Sequence, residues 1–177
     1  MDKLKHGLIQ IYTGDGKGKS TAAIGQAIRA AGHGLKSYIL MFMKDFPYGE
    51  AESLKSMSEF ITIAQVGKDD FVFRKELPPQ TEIDIAIAAL EDARQKMLSG
   101  KFDLVILDEV CVSIYFGLLT EEDVIQVIEA KPESVELILT GRYCPKKLID
   151  VADLVTEMKE IKHPFKSGIK AKKGIDF

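Results

Sequence analysis

The sequence lacks tryptophan, contains only two cysteines and three histidines, and has no hydrophobic run long enough to cross a bilayer. Cys111 and Cys144 are far apart in the chain and lack the spacing of metal ligands, so we interpret both as packed thiols in a reducing compartment. The net charge of −3 offers no surplus of positive charge for nucleic acid or an anionic membrane. The start of the chain is short and polar, unlike a signal peptide. These absences predict a cytoplasmic protein with no nucleic-acid or membrane partner.

The length and composition are those of an ordinary globular protein. The chain has 177 residues, enough for one domain that buries about 70% of the surface exposed by its unfolded form. Hydrophobic residues make up 46% of the chain and charged residues 29%, which is a normal balance for a folded domain. We therefore expect residues 1–177 to form a single domain that ends in an irregular, basic tail over residues 159–177.

Apolar segments alternate with segments of helical periodicity along the whole chain. The apolar segments predict strands over residues 8–12, 37–42, 61–66, 104–107, 137–139 and 153–158. Helices are expected over residues 20–33, 49–60 and 80–99, after Thr120, and after Cys144. This order, together with the glycine-rich segment at residues 14–21, predicts an α/β fold: a P-loop NTPase-like domain with a mainly parallel sheet of about six strands and helices on both faces.

The longest predicted helix, over residues 80–99, has an apolar stripe that we expect to face the sheet. Its members are expected to be Ile83, Ile87, Leu90, Ala93 and either Met97 or Leu98. In sheets of this kind, ligands bind at the carboxyl ends of the strands. Polar motifs follow several of the predicted strands, so we expect the functional site to lie at that edge.

A glycine-rich segment, residues 14–21, follows the first predicted strand and leads into the first helix. Glycines allow backbone N–H groups to turn toward a ligand, and the start of the helix adds a positive dipole. In this pattern Lys19 reaches the phosphates and the Ser20 hydroxyl binds magnesium. The sequence therefore predicts a nucleoside triphosphate site built from Thr13, Gly14, Asp15, Gly16, Lys17, Gly18, Lys19, Ser20 and Thr21.

The loop departs from the general pattern G-x-x-x-x-G-K-[ST] at its first position. Thr13 occupies the place of the first glycine, and Gly14 follows one residue later, so the loop is effectively one residue shorter. This shortening argues against an ordinary ATPase or kinase. Lys17 either adds positive charge at the phosphates or is simply solvated, and the sequence leaves both interpretations open.

Two carboxylates and an arginine follow later strands. Asp108 and Glu109 come directly after the strand 104–107, where a carboxylate holds magnesium directly or through water. The sequence does not decide which of the two is the closer ligand. Arg142 follows the strand 137–139, where its guanidinium would form paired contacts with phosphate oxygens or remain on the surface.

These residues define the predicted site. The catalytic residues are expected to be Lys19, Glu109 and Arg142, and the metal ligands Ser20, Asp108 and Glu109. The sequence shows no candidate pair of protein nucleophile and base, and no second domain that would act as a lid. The chemistry therefore requires only a positioned nucleotide and a second substrate that is itself reactive.

Residues 7–23 resemble the opening of the P-loop ATP:corrinoid adenosyltransferases, whose loop is typically G-N-G-K-G-K-T. The resemblance continues, in order, at residues 29–34, 107–109, 139–142, 152–158, 162–165 and 174–177. It thus covers nearly the whole chain. In this sequence Asp15 stands where the family usually has asparagine, which adds negative charge near the phosphates unless magnesium or Lys17 compensates for it.

The resemblance implies transfer of the 5′-deoxyadenosyl group of ATP to the cobalt of a Co(I) corrinoid, with release of triphosphate, in adenosylcobalamin biosynthesis or salvage. Because Co(I) is itself a strong nucleophile, this reaction agrees with the lack of a protein nucleophile. The resemblance also implies Mg²⁺, ATP bound with reversed polarity, a homodimer, and an electron donor such as a flavodoxin-like protein or a flavin reductant.

The segment 67–79 has the composition of a loop but contains two aromatic residues, Phe71 and Phe73. The resemblance places them in the corrinoid loop, where aromatic side chains displace the lower ligand of cobalt and make Co(II) easier to reduce. Ordinary packing within the loop is the alternative interpretation.

Two other functions remain open from the sequence. A P-loop kinase or ATP hydrolase would release ADP and phosphate in place of triphosphate. A nucleotide-gated interaction protein would use ATP only to order a partner surface, with the basic tail (Lys166, Lys170, Lys172 and Lys173) as its supporting feature. We expect instead that the tail is a solvated segment that folds over the site.

Overall fold

The computed structural model describes residues 4–45, 48–68 and 77–176. In these ranges one sheet contains the strands β1 (Ile9–Thr13), β2 (Ser37–Phe42), β3 (Ile61–Val66), β4 (Leu104–Asp108), β5 (Glu136–Thr140) and β6 (Leu154–Glu157). The strand order is β3-β2-β4-β5-β1-β6, and every pairing is parallel. The predicted α/β class and P-loop NTPase-like parallel sheet are confirmed, with each strand close to its predicted place.

The described helices are α1 (Lys19–Ala31), α2 (Gly49–Ser53), α3 (Gln80–Leu98), α4 (Val110–Tyr115), α5 (Glu121–Glu129) and α6 (Lys146–Val151). Short 3₁₀ turns follow at Leu54–Met57 and Pro164–Ser167. The helix predicted over residues 49–60 is therefore divided into α2 and a 3₁₀ turn. The predicted start of α5 is confirmed, since Thr120 and Asp123 form a reciprocal capping box.

Helix α4 was not predicted from the sequence. Its residues, Val-Cys-Val-Ser-Ile-Tyr, are rich in β-branched side chains that disfavour helix by themselves. Burial reverses this preference, because Val110, Cys111, Val112 and Ser113 are all buried against the sheet. Packing therefore outweighs local propensity in this segment.

The predicted helical layers on both faces of the sheet are confirmed. Side chains of α3, α4, α5 and α6 form one core cluster, and those of α1 with Leu54 form the other. Strand β2 shows the division clearly, since Leu40 and Phe42 belong to the first cluster whereas Ile39 and Met41 belong to the second. The central strands are thus buried on both sides and their ends are fixed in space.

The predicted apolar stripe of α3 is only partly right. Its buried members are Ala86, Leu90, Ala93 and Met97. Ile87 is 43% exposed, so its assignment to the stripe is wrong, whereas of the alternatives Met97 and Leu98 it is Met97 that lies in the stripe. A helix turns about 100° per residue, which carries Ile87 away from the face that Ala86 presents. Small alanines at the interface allow α3 to approach the sheet closely.

The tail is irregular, as expected, and contains one 3₁₀ turn among its described residues. Its side chains are mostly exposed. None of the described helices combines the length and the apolar character of a membrane span.

Candidate functional site

The glycine-rich loop lies between the end of β1 and the start of α1, as predicted. Gly14 (φ 94°) and Gly18 (φ 117°) adopt left-handed conformations. A Cβ atom at Gly14 or Gly16 would lie 2.6 Å from the carbonyl oxygen of Met158, closer than real Cβ contacts. The loop therefore needs glycine both for its conformation and for its close approach to the segment after β6.

One backbone donor of the loop is already used inside the protein. The N–H of Gly16 donates to the carbonyl of Met158 at 2.6 Å. The Met158 N–H in turn donates to the carbonyl of Thr13 at 2.8 Å. The segment after β6 thus supports the loop from behind.

Lys19, the first residue of α1, is buried, with 7% of its surface exposed. Its Nζ donates to the carbonyl oxygens of Gly14 and Gly16, at 2.7 Å each. Burial lowers the pKa of Lys19, and the negative charges of Glu109 and Asp15 partly oppose this shift. The amino group is thus held inside the curve of the loop, where the sequence predicts that phosphates bind.

Asp108 ends β4 and is 1% exposed. Thr140 at the end of β5 donates to its Oδ1 at 2.7 Å, and the Nζ of Lys44 lies 3.2 Å from its Oδ2. The same Thr140 hydroxyl accepts from the N–H of Glu109 at 2.9 Å. Both carboxylate oxygens of Asp108 are therefore engaged by the protein, and they tie the ends of three strands together.

Glu109 differs from its neighbour. It caps α4 with a left-handed backbone (φ 61°), a conformation that costs free energy in a residue other than glycine. Burial and the charge of Asp108 raise the pKa of its carboxyl group, while Lys44, Lys19 and Arg142 oppose the shift. Glu109 is thus the carboxylate that faces the cationic side chains of the site. Among the described residues, none donates a hydrogen bond to its carboxylate, whereas Thr140 donates to that of Asp108.

Lys44 is a site residue whose importance the sequence did not reveal. It follows β2, is 8% exposed, and lies 3.2 Å from Asp108 and 3.5 Å from Glu50. Its Nζ also lies 4.3 Å from the ring centroid of Tyr48. Burial lowers the pKa of Lys44, but the charges of Asp108 and Glu50 outweigh it, so the net shift is upward. The feature of the sequence that could have identified Lys44 as a site residue is its position directly after a buried strand.

Arg142 is exposed and follows β5, and its charge acts on Lys19 and Glu109. The preceding Gly141 (φ 135°) packs directly on α4, since a Cβ there would lie 2.9 Å from the Cβ of Cys111. The structure therefore brings together Lys19, Glu109 and Arg142, the three residues predicted to be catalytic.

The segment after Arg142 lies against α4. The ring of Tyr143, whose φ is 58°, stacks on that of Tyr115 with centroids 4.1 Å apart. Cys144 packs against the core cluster that contains the buried Cys111, and its thiol donates to the carbonyl of Pro145 at 3.7 Å. Both cysteines are therefore packed thiols, as expected.

Lys17 has a partner that neither interpretation of the sequence included. Its Nζ donates to the carbonyl of Ile175 at 2.8 Å and forms an ion pair with Asp176. The tail thus folds back on the phosphate loop, as we expected. Of the other loop residues, Asp15 and Thr21 are exposed and Ser20 is half-buried in the first turn of α1.

Phe71 and Phe73 lie outside the described residues. At the ends of β2 and β3, the structure has an apolar cavity of about 150 Å³. Its lining includes Phe42, Met43, Val66, Ile85, Ala86 and Leu118.

Metal binding at this site would use few protein ligands. The described residues contain no group of three or more histidine, cysteine, aspartate or glutamate side chains arranged to hold a metal. Magnesium in nucleotide sites is commonly held by one or two protein oxygens together with the phosphates. The half-buried hydroxyl of Ser20 and the carboxylate of Glu109 are oxygen donors of that kind.

Comparison with known proteins gives consistent matches over nearly the whole chain. The family model for "ATP:corrinoid adenosyltransferase BtuR/CobO/CobP" matches residues 5–177. "Corrinoid adenosyltransferase CobA" of Salmonella typhimurium is 34% identical over 176 residues, which cover 98% of this chain and 87% of that protein. The corrinoid adenosyltransferase of Pseudomonas aeruginosa is 35% identical over 174 residues, covering 98% of this chain and 85% of that protein.

The fold has also been seen in a more distant protein. The crystal structure of the flagellar accessory protein FlaH from Methanocaldococcus jannaschii matches with a TM-score of 0.63 at 13% sequence identity. The match covers 87% of this chain and 72% of that one. At this level of identity the likeness shows the shared fold alone.

Proposed function

Because this chain belongs to the ATP:corrinoid adenosyltransferase family, we propose that its glycine-rich loop and the ends of β4 and β5 form the site of adenosyl transfer. The protein is a transferase that uses ATP to adenosylate corrinoids. The observation that carries the assignment of the site is the convergence of Lys19, Glu109 and Arg142 beside the loop.

In the reaction, Co(I) of the corrinoid attacks C5′ of ATP. A cobalt–carbon bond forms, the C5′–O bond breaks, and triphosphate leaves with the electron pair of that bond. The protein contributes position and positive charge. Lys19 would exchange the carbonyls of Gly14 and Gly16 for phosphate oxygens, and Arg142 would approach the triphosphate from β5.

Magnesium, when bound, would neutralise part of the charge of the leaving triphosphate. We propose that Ser20 and Glu109 hold it. Asp108 would not contact the metal directly, since its two oxygens already contact Thr140 and Lys44. Its charge would help to keep the cations in place.

The remaining parts of the proposal concern partners and location. Phe71 and Phe73 are proposed to contact the corrinoid, as membership of the family implies for an aromatic loop at this place in the sequence. A flavodoxin-like or flavin reductant, a homodimer, a single domain and a cytoplasmic location stay predictions. The alternative of a P-loop kinase or ATP hydrolase gains no support from the comparisons.

The test is an anaerobic assay with ATP, magnesium and chemically reduced cob(I)alamin. The visible spectrum reports the adenosylated product, and triphosphate is quantified alongside it. We expect light-sensitive adenosylcobalamin and an equal amount of triphosphate. Release of ADP without an adenosylated corrinoid would overturn the assignment.

A matched pair of substrates tests the role of the aromatic loop. Phe73→Ala should slow adenosylation that starts from Co(II) with a reductant more than adenosylation of prepared Co(I). Equal losses with the two substrates would remove the proposed role at the lower ligand.

A further inference from the structure

Two exposed tyrosine rings stack on each other at the carboxyl edge of the sheet. Tyr115 is the last residue of α4, and Tyr143 comes three residues after Thr140, where β5 ends. Their ring centroids are 4.1 Å apart, and the planes of the rings differ by 27°. Tyr115 is 59% exposed and Tyr143 is 51% exposed. The pair therefore forms an aromatic surface that is in contact with solvent.

This aromatic surface is connected to the core from one side. Phe116 packs against the core, and its ring meets the ring of Tyr115 edge-on, with centroids 5.3 Å apart and planes at 80°. Tyr115 in turn stacks on Tyr143. Within the described part of the chain, no other ring stacks on Tyr143. The face of Tyr143 that is turned away from Tyr115 is therefore where a further planar ring can stack.

The backbone of Tyr143 is strained. Its φ of 58° lies in the left-handed region, which glycine adopts freely and a bulky residue adopts only at a cost in free energy. Strain of this kind occurs mainly at functional sites, where the surrounding structure holds the residue in place. A tyrosine that is both strained and half-exposed gains little from packing, which points to a role in binding a ligand.

Backbone hydrogen bonds place the pair beside the phosphate loop. The N–H of Gly141 donates to the carbonyl of Tyr12 at 3.2 Å, and Tyr12 lies in β1 directly before the loop begins at Thr13. Tyr143 comes two residues after Gly141, so the Cα atoms of these two residues are at most about 7.6 Å apart. The segment that carries the ring is thus tied to the entrance of the phosphate loop.

We propose that the outer face of Tyr143 stacks on the adenine ring of bound ATP. The inference rests on the proposed function of the site, which puts the triphosphate beside the loop and Arg142. Adenine is joined to that triphosphate through the ribose, and Tyr143 directly follows Arg142 in the chain. Stacking recognises the face of a base and not its edge. Tyr143 therefore supplies affinity for the nucleotide, and other contacts select adenine.

The experiment compares two ligands by calorimetric titration in the presence of magnesium and without corrinoid. ATP carries the base, whereas inorganic tripolyphosphate carries only a chain of three phosphates. The variant is Tyr143→Gly, because glycine suits the left-handed backbone and should keep the fold, which thermal unfolding checks. We expect the variant to bind ATP about tenfold more weakly than the native protein does. Its affinity for tripolyphosphate should be unchanged.

Two further variants serve as controls. Tyr143→Phe keeps the aromatic face and should bind ATP as tightly as the native protein. Leu98→Ala removes an exposed apolar side chain at the end of α3, shortly before β4 begins and therefore at the opposite edge of the sheet. This variant should leave the affinity for both ligands unchanged.

The outcomes separate this inference from the proposed function. Unchanged ATP affinity in Tyr143→Gly would overturn the inference, and unchanged ATP affinity with weaker binding of cobalamin would assign the ring to the corrinoid instead. Equal losses for ATP and tripolyphosphate would also overturn it, since they would show that the tyrosine pair only positions Arg142. In each of these cases the proposed function stands. Failure of the native protein to bind ATP would overturn the proposed function, and this inference with it.

Discussion

The two halves of the site hold their charges in different ways. At the ends of β2, β4 and β5, Asp108 is paired with Lys44 and Thr140 inside the protein. In the phosphate loop, Lys19 is held by backbone carbonyls and Lys17 by the tail. The first half is complete without a ligand. The second half binds its cations to partners that a triphosphate can replace, so the comparison separates the permanent part of the site from the exchangeable part.

The largest expected effect comes from breaking the permanent half. Lys44→Met keeps the volume of the side chain but leaves the buried carboxylate of Asp108 without its cation. Removing one partner of a buried pair costs roughly 3–5 kcal/mol, so we expect that loss in the free energy of unfolding, measured by urea denaturation. Lys55→Met, which breaks an exposed ion pair with Glu52, is the control and should change little. Similar losses in the free energy of unfolding of Lys44→Met and Lys55→Met would contradict the distinction between a buried, permanent ion pair and an exposed one.

The exchangeable half is tested by Lys19→Ala. Adenosyl transfer should fall by about 10²- to 10³-fold, the usual effect of losing one donor to developing negative charge. The fold should be retained, because the partners of Lys19 are carbonyls that water can satisfy; circular dichroism checks this point. Lys17→Ala is the matched variant, and its loss should be much smaller because Lys17 is half-exposed and paired with the tail. Near-normal turnover in Lys19→Ala would remove the loop from the mechanism.

Glu109→Gln should separate activity from stability. Burial and Asp108 raise the pKa of Glu109 above its unfolded value, so its ionised form is disfavoured in the ligand-free fold. The variant should therefore be slightly more stable than the native protein at pH 7. This gain should disappear below the ordinary carboxyl pKa, where Glu109 is protonated in both the folded and the unfolded state. Magnesium-dependent ATP binding should be weaker in the variant.

Thermal unfolding at several pH values, together with ATP titration at several magnesium concentrations, checks both expectations. The magnesium dependence should also weaken in the native protein on acidification, beginning above the normal titration range of glutamate. If Glu109→Gln were less stable than the native protein at pH 7, this result would contradict the conclusion that burial and Asp108 disfavour the ionised form of Glu109.

The smallest effect concerns the tail. Asp176→Asn removes the carboxylate that competes with triphosphate for Lys17, so ATP should bind about two- to fivefold more tightly at low salt. The gain should shrink as salt increases, since the pair is exposed. Asp150→Asn, which breaks an ion pair with Lys146 on α6, is the control. Weaker ATP binding in Asp176→Asn would show that the tail supports the nucleotide site.

The strands and the phosphate loop were predictable because their signals are local. Apolar runs and the glycine–lysine spacing are complete within a few residues, and the structure places both as expected. Helix α4 was missed because its β-branched sequence resembles a strand, and only burial makes it helical. The stripe of α3 failed at Ile87 for a related reason, since hydrophobicity alone does not tell which side faces the sheet.

The contacts that join distant parts of the chain could not be predicted. Lys44 with Asp108 and Lys17 with Asp176 are each brought together by the sheet order, which no local pattern reveals. The predicted positions of Lys19, Glu109 and Arg142 rested on a general rule instead, that carboxyl ends of parallel strands meet at one edge.

The position of β1 between two strands that come late in the chain has a consequence for synthesis of the protein. β1 lies between β5 and β6, and the phosphate loop after it rests on Met158. On the ribosome, the loop is therefore made long before Met158, whose backbone carbonyl accepts a hydrogen bond from it. A nascent chain that has emerged only as far as β4 has a first strand without either neighbour, and pairings so distant in sequence form slowly. ATP binding is thus acquired late in biogenesis, when β5, β6 and the residues just after them have left the exit tunnel.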